Sequence, residues 1–120
     1  RAEQTRADLL AFIKKAQAEG KTIAALGAST KGNVLLQYCG LTENEIMYVG
    51  EINAEKYGCF TPGTWLPIIP EALLLAKSPD YLIVLPWHFR KFFQGQEKYK
   101  QSCLVFPLPE LQAFVNSALD

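Results

Sequence analysis

The chain has 120 residues, 49% of them hydrophobic and 20% charged, enough apolar material to close one domain's core without disulfide or metal staples. Twelve lysines and arginines balance twelve aspartates and glutamates, so no net field draws the protein to nucleic acid or membrane. No apolar run is long enough to span a bilayer and no signal peptide is present, so a cytoplasmic protein is expected.

Residues 3–19 carry Leu9, Phe12, Ile13 and Ala16 at helical period and close on Gly20. Residues 21–27 form an apolar first strand, and 31–39 a short helix closed by Gly40. Residues 45–52 read as a second strand ending near Glu51. Residues 53–69 are turn-rich, with Gly58, Pro62 and Gly63, and finish in an extended piece over 66–69. Pro70 and Glu71 suit the start of a brief helix through Lys77. Residues 80–86 contain the continuous apolar run Tyr81-Leu82-Ile83-Val84-Leu85, the mark of a strand covered on both faces. A helix over 87–100, with Phe89, Phe92 and Phe93 on one face, a strand over 103–106 and a final helix over 109–118 complete the pattern. Strands alternating with helices predict an α/β fold: a Rossmann-like three-layer α/β/α sandwich with a mainly parallel sheet. Residues 1–20 serve as a lead-in helix to a core over 21–120. The chain opens at Arg1 already in helical pattern and its only methionine is Met47, so we expect one domain excised from a longer protein.

In such a sheet ligands bind beyond the carboxyl ends of the strands. Gly27 and Gly32 occupy the first and third glycine places of a dinucleotide fingerprint, but Ser29 replaces the middle glycine that admits a pyrophosphate closely. The turn still suits an anion: a helix start supplies free N–H groups, Lys31 a cation, and Ser29 or Thr30 a hydroxyl. A solvated Lys31 on a plain strand–helix turn is the bland alternative. Glu51 follows Gly27 at about the spacing of a ribose-binding acid, although acids at strand ends are common. Trp87 suits stacking on a base or sugar, or covering the sheet edge. His88 is the one candidate for acid–base chemistry, since histidine titrates closest to neutrality, but a lone histidine is more often a hydrogen-bonding residue. Arg90, Lys91, Lys98 and Lys100 read as a solvated basic face. No catalytic set can be assembled. Cys39, Cys59 and Cys103 are odd in number and widely spaced, and two of them sit in apolar surroundings, so they read as buried reduced thiols; with no CxxC pair and one histidine no metal site is expected.

Three segments in order, Gly27-Ala28-Ser29-Thr30-Lys31-Gly32-Asn33, Tyr57-Gly58-Cys59-Phe60-Thr61-Pro62-Gly63-Thr64 and Leu85-Pro86-Trp87-His88-Phe89, resemble the C-terminal domain of the sugar C-methyltransferases. The resemblance runs from about Lys21 to Phe114. It implies a role in binding a nucleotide-diphosphate keto-deoxysugar, next to an upstream domain of the same chain that binds S-adenosylmethionine. In that chemistry a proton is removed alpha to a ketone and the enolate takes the donor's methyl group, a step that needs a base, a stabilised oxyanion and an oriented substrate. By position the resemblance implies that Ser29, Lys31, Gly32 and Asn33 line a substrate crevice with Trp87 and His88 opposite, the 61–64 turn forming a rim or interdomain contact. No cofactor is expected in this stretch itself. The other readings are an NAD- or coenzyme A-binding domain of another enzyme class, and a non-catalytic interdomain or dimerisation module.

Overall fold

The computed structural model describes residues 2–115. The segment Ile23-Ala24-Ala25-Leu26 has no polar side chain for either face, so it needs cover on both. It forms β1 (Ile23–Leu26), wholly buried at the middle of the sheet. Strand β2 (Val49–Glu51) pairs with it on one side and β4 (Tyr81–Val84) on the other, both parallel. Strands β3 (Ile68–Pro70) and β5 (Cys103–Phe106) extend the two flanks in parallel, and β6 (Gln112–Val115) adds antiparallel to β5. The order is β3-β2-β1-β4-β5-β6, so the chain reverses its direction of travel across the sheet between β1 and β4.

Strict alternation along each strand divides the core in two. Ile23, Ala25, Ile83, Leu85 and Val105 face helices α1 (Ala2–Ala18) and α2 (Thr30–Tyr38), whose Leu9, Ile13, Leu35 and Leu36 cover them. Ala24, Leu26, Leu82, Val84, Leu104 and Phe106 face the other way, under Leu74 of α3 (Glu71–Ala76) and Phe93 of α4 (Arg90–Gln94). The result is a Rossmann-like α/β/α sandwich. Helices α1 and α2 end as expected: the N–H groups of Gly20 and Lys21 return to Gln17 and Ala16, and those of Gly40 and Leu41 to Gln37 and Leu36.

Polar ties hold the layers in register. The Tyr99 hydroxyl donates to buried Glu71, whose other carboxylate oxygen pairs with Lys98 at 2.7 Å. Burial, then the hydrogen bond to Glu71, holds the Tyr99 phenol far above its usual pKa, so it stays a donor. At the opposite end of β1, Asp80 and Thr22 clasp each other. The Thr22 N–H donates to the Asp80 carboxylate at 2.8 Å, and the Asp80 N–H to the Thr22 hydroxyl at 3.0 Å.

The structure corrects four expectations. The final helix over 109–118 is not formed within the described residues. Residues 112–115 are strand β6, with Phe114 opposite Leu104, because the open edge of β5 offers backbone partners; 116–118 lie outside the described residues. The helix over 87–100 is broken into a 3-10 turn (Trp87–Phe89), α4 and a second 3-10 turn (Glu97–Tyr99). The break at Gly95 lets Tyr99 turn back to Glu71, and of the three phenylalanines only Phe93 is buried. The strand over 45–52 shrinks to Val49–Glu51, since Glu45 is drawn into a turn that caps Thr42. Cys39 is buried but Cys59 is exposed, on the excursion between β2 and β3.

The Asp80 clasp carries a pH signature. The Thr22 N–H, in the first place, holds the Asp80 carboxyl below its ordinary value of 3.8. A depressed carboxyl pKa stabilises the fold at pH above 3.8, and the increment disappears as pH falls from there through the lower folded value. Asp80→Ala is therefore expected to lower the thermal midpoint at neutral pH and to match wild type at the acid end. A gap between the two melting curves that persists unchanged into acid would contradict this.

Candidate functional site

The β1–α2 turn is shaped by two close approaches. Gly27 adopts φ +80°, and a Cβ there would lie 2.7 Å from Pro86 Cδ. A Cβ on Gly32 would lie 2.4 Å from Leu85 Cβ, so α2 rests directly on the strand β4 segment. Ser29 caps α2, its hydroxyl accepting from the Gly32 N–H at 3.0 Å and its carbonyl from the Asn33 N–H at 2.9 Å. The N–H groups of Ser29, Thr30 and Lys31 find no acceptor among the described residues. They sit at the carboxyl end of β1, where the strand order reverses, with the positive end of the α2 dipole behind them.

The excursion after β2 clamps this turn from the side. Glu51 is buried, and one carboxylate oxygen accepts from the Ala28 N–H at 2.7 Å. The other accepts from Asn53 at 2.9 Å and Ile52 at 3.2 Å. Lys56 then donates from Nζ to the Ala28 carbonyl at 2.5 Å, so the Ala28 peptide groups are gripped by an acid on one side and a cation on the other. Asn53 caps the short 3-10 turn (Ala54–Lys56) that presents Lys56.

Between turn and excursion lies a cavity of about 200 Å³, lined by Ala28, Ser29, Thr30, Asn33 and Leu85 on one side and Lys56, Thr61 and Pro62 on the other. The carbonyl oxygen Oδ1 of Asn33 is buried there with no hydrogen-bond partner among the described residues. The 61–64 turn forms the far wall: Pro62 accepts from Gln37 of α2 at 2.6 Å, and the Thr61 hydroxyl meets that of Thr64 at 2.5 Å.

The structure thus brings Ser29, Thr30 and Asn33 into one cavity, with Gly27 and Gly32 shaping it from below. Lys31 is exposed and lies outside the lining. Trp87 and His88 line a separate hollow of about 530 Å³ with Arg90, Leu108 and Pro109. Trp87 packs partly against the α1/α2 core, its ring 6.3 Å from that of exposed His88. Sequence reasoning missed Lys56; its signal was the capping Asn53 followed by a polar turn directly after the strand that ends in Glu51. Arg90 is not simply solvated, since it donates to Gln112 and its guanidinium carbon stands 4.7 Å over the Phe106 ring. Burial raises the Cys39 and Cys103 thiol pKa values, which keeps both protonated and inert. No cluster of three or more metal-binding side chains occurs among the described residues. No helix among them is long and apolar enough to cross a membrane.

A mainly parallel sheet, with a free helix start and a cavity at its switch point, defines a Rossmann-like domain. Residues 1–109 match the model of the C-methyltransferase C-terminal domain family, and the chain belongs to that family. It is 31% identical over 111 residues to the C-methyltransferase NovU of Streptomyces niveus, which covers 90% of this chain. The chain spans 26% of the length of that relative.

Two substitutions test how the site is held. Alanine is the better helix former by about 1 kcal/mol, yet Gly32→Ala is expected to destabilise by about 1–3 kcal/mol, because overpacking against Leu85 outweighs propensity. A melting curve at or above wild type would show that α2 moves freely off the sheet. Glu51→Ala strips an acceptor from three N–H groups and is expected to cost on the order of 2 kcal/mol. It should also speed amide exchange at Ala28 and Asn53; unchanged exchange there would mean the carboxylate does not hold the turn.

Proposed function

We propose that this domain holds the nucleotide-diphosphate keto-deoxysugar on which an S-adenosylmethionine-dependent C-methyltransferase acts. The observation that carries the reading is the row of free N–H groups at Ser29, Thr30 and Lys31, the first two on residues that line the cavity at the sheet's switch point. Membership in the C-methyltransferase family supports the reaction class. Donors without acceptors, in front of a positive helix end, suit a diphosphate. Gly27 and Gly32 allow the close approach, Ser29 and Asn33 fix the helix start, and the Thr30 hydroxyl and Lys31 stand at its rim. Glu51 serves the ligand by holding the Ala28 peptide in place. Its engaged carboxylate counts against an NAD-type ribose contact. Trp87 and His88, two and three residues beyond Leu85, would meet the far end of an extended ligand.

S-adenosylmethionine has no diphosphate to spread along this row of N–H groups; its one anion is a single carboxylate and its reacting centre is a sulfonium cation. On this reading the methyl donor is held by another part of a larger cytoplasmic enzyme. This domain supplies orientation of the substrate, a contribution that grows as the reacting carbon is held closer to its attack geometry. The isolated chain then binds but transfers no methyl group.

Titration of the isotope-labelled chain with a thymidine-diphosphate sugar, NAD and S-adenosylmethionine separates the readings. The expected result is amide shifts in residues 27–33 with the sugar nucleotide alone. Shifts with NAD at those residues would replace this function by a dinucleotide role, and silence with all three would favour a scaffold.

A further inference from the structure

We infer that Lys56, and not Lys31 of the glycine-bearing turn, is the cation that pairs with the bound ligand's phosphate; this rests on the function proposed above. Lys31 follows the pattern by which such turns are read, but it is exposed and outside the cavity. A cation in open solvent is screened and adds little to an ion pair. Lys56 is half-buried on the cavity wall facing Ser29, Thr30 and Asn33. It has no carboxylate within ion-pair distance, the one such pair among the described residues being Lys98 with Glu71.

The stem of Lys56 is already placed. Its ammonium spends one of three N–H donors on the Ala28 carbonyl, which leaves two for a ligand above the turn. Glu51 accepts from the N–H of the preceding peptide group and from Ile52 and Asn53, and it forms no ion pair with the ammonium. Asn33 lines the same cavity, across from the excursion that carries Lys56. The ammonium on one wall and the free N–H groups at the start of α2 on the other suit the phosphate of a nucleoside diphosphate.

Calorimetric titration of the chain with thymidine diphosphate tests this, in wild type, Lys56→Met, Lys56→Arg and Lys31→Met at two ionic strengths. The expected result is a loss of about 10- to 100-fold for Lys56→Met. That loss should exceed the one at Lys31→Met, be partly restored by Lys56→Arg, and come with a weaker dependence on salt. A purely structural tie to Ala28 would not flatten the salt dependence. A loss at Lys56 no greater than at Lys31 overturns the inference and leaves the proposed function standing; no binding by wild type overturns both. Should Lys56→Met fail to fold, the Cε resonances of labelled lysines in wild type decide it. The ligand must move Lys56 further than Lys31, and the reverse order refutes the assignment.

Discussion

The contact on which the site depends is one between two elements with nothing in between: α2 lies on the segment after β4 at Gly32 and Leu85. Because no Cβ separates them, the helix start is drawn down to the level of the strand ends, and its free N–H groups come to the surface of the switch point. The same economy operates one turn earlier, where Gly27 lets Pro86 close over the end of β1. Any side chain at either place would lift the helix away, and the cavity between the turn and the β2–β3 excursion would open. Glu51 and Lys56 complete the arrangement by fixing the two peptide groups on either side of Ala28, so the turn owes its shape to glycines below and charges beside it.

Much of the fold was legible in the sequence, for reasons particular to each element. β1, β4 and β5 are apolar on both faces, a pattern that only a covered sheet rewards, and Gly20 and Gly40 mark true helix ends. The failures come where local chemistry and tertiary context disagree. Pro109 and Glu110 are good helix openers, and Leu111 with Phe114 keeps a helical interval, yet the unpaired edge of β5 takes residues 112–115 as a strand. The aromatic run after β4 has helical spacing, but the buried pairing of Tyr99 with Glu71 needs the chain to bend back at Gly95. Neither constraint can be seen within a window of neighbouring residues.

The site was legible in part and for a similar reason. Ser29, Gly32 and Asn33 announce themselves because a strand–glycine–helix junction is a local pattern. Glu51 was legible by spacing, but which atoms its carboxylate would meet was not, since the Ala28 N–H it binds lies 23 residues away. Lys56 carried almost no signal. A lysine in a polar turn is ordinary, and only the folding back of the excursion onto Ala28 gives it a half-buried place. Trp87 and His88 were foreseen opposite the turn in the same crevice; they line a neighbouring hollow instead.

That separation bears on how such a domain can serve a carbon methylation. Removing a proton next to a ketone needs a base and a stabilised oxyanion placed within a few tenths of an ångström, and neither cavity here assembles a nucleophile, base and orienting group together. What the domain does assemble is donors: three free N–H groups, a half-buried ammonium and a hydroxyl-capped helix start, all converging from two elements on one side of the sheet. Donors without a reacting acid or base bind charge and leave it unreacted. On the function proposed above, a domain built that way would contribute through position, holding the remote, charged end of a substrate so that the carbon to be alkylated is presented elsewhere. The energy of gripping a phosphate far from the chemistry would then be spent on orientation at the reacting carbon.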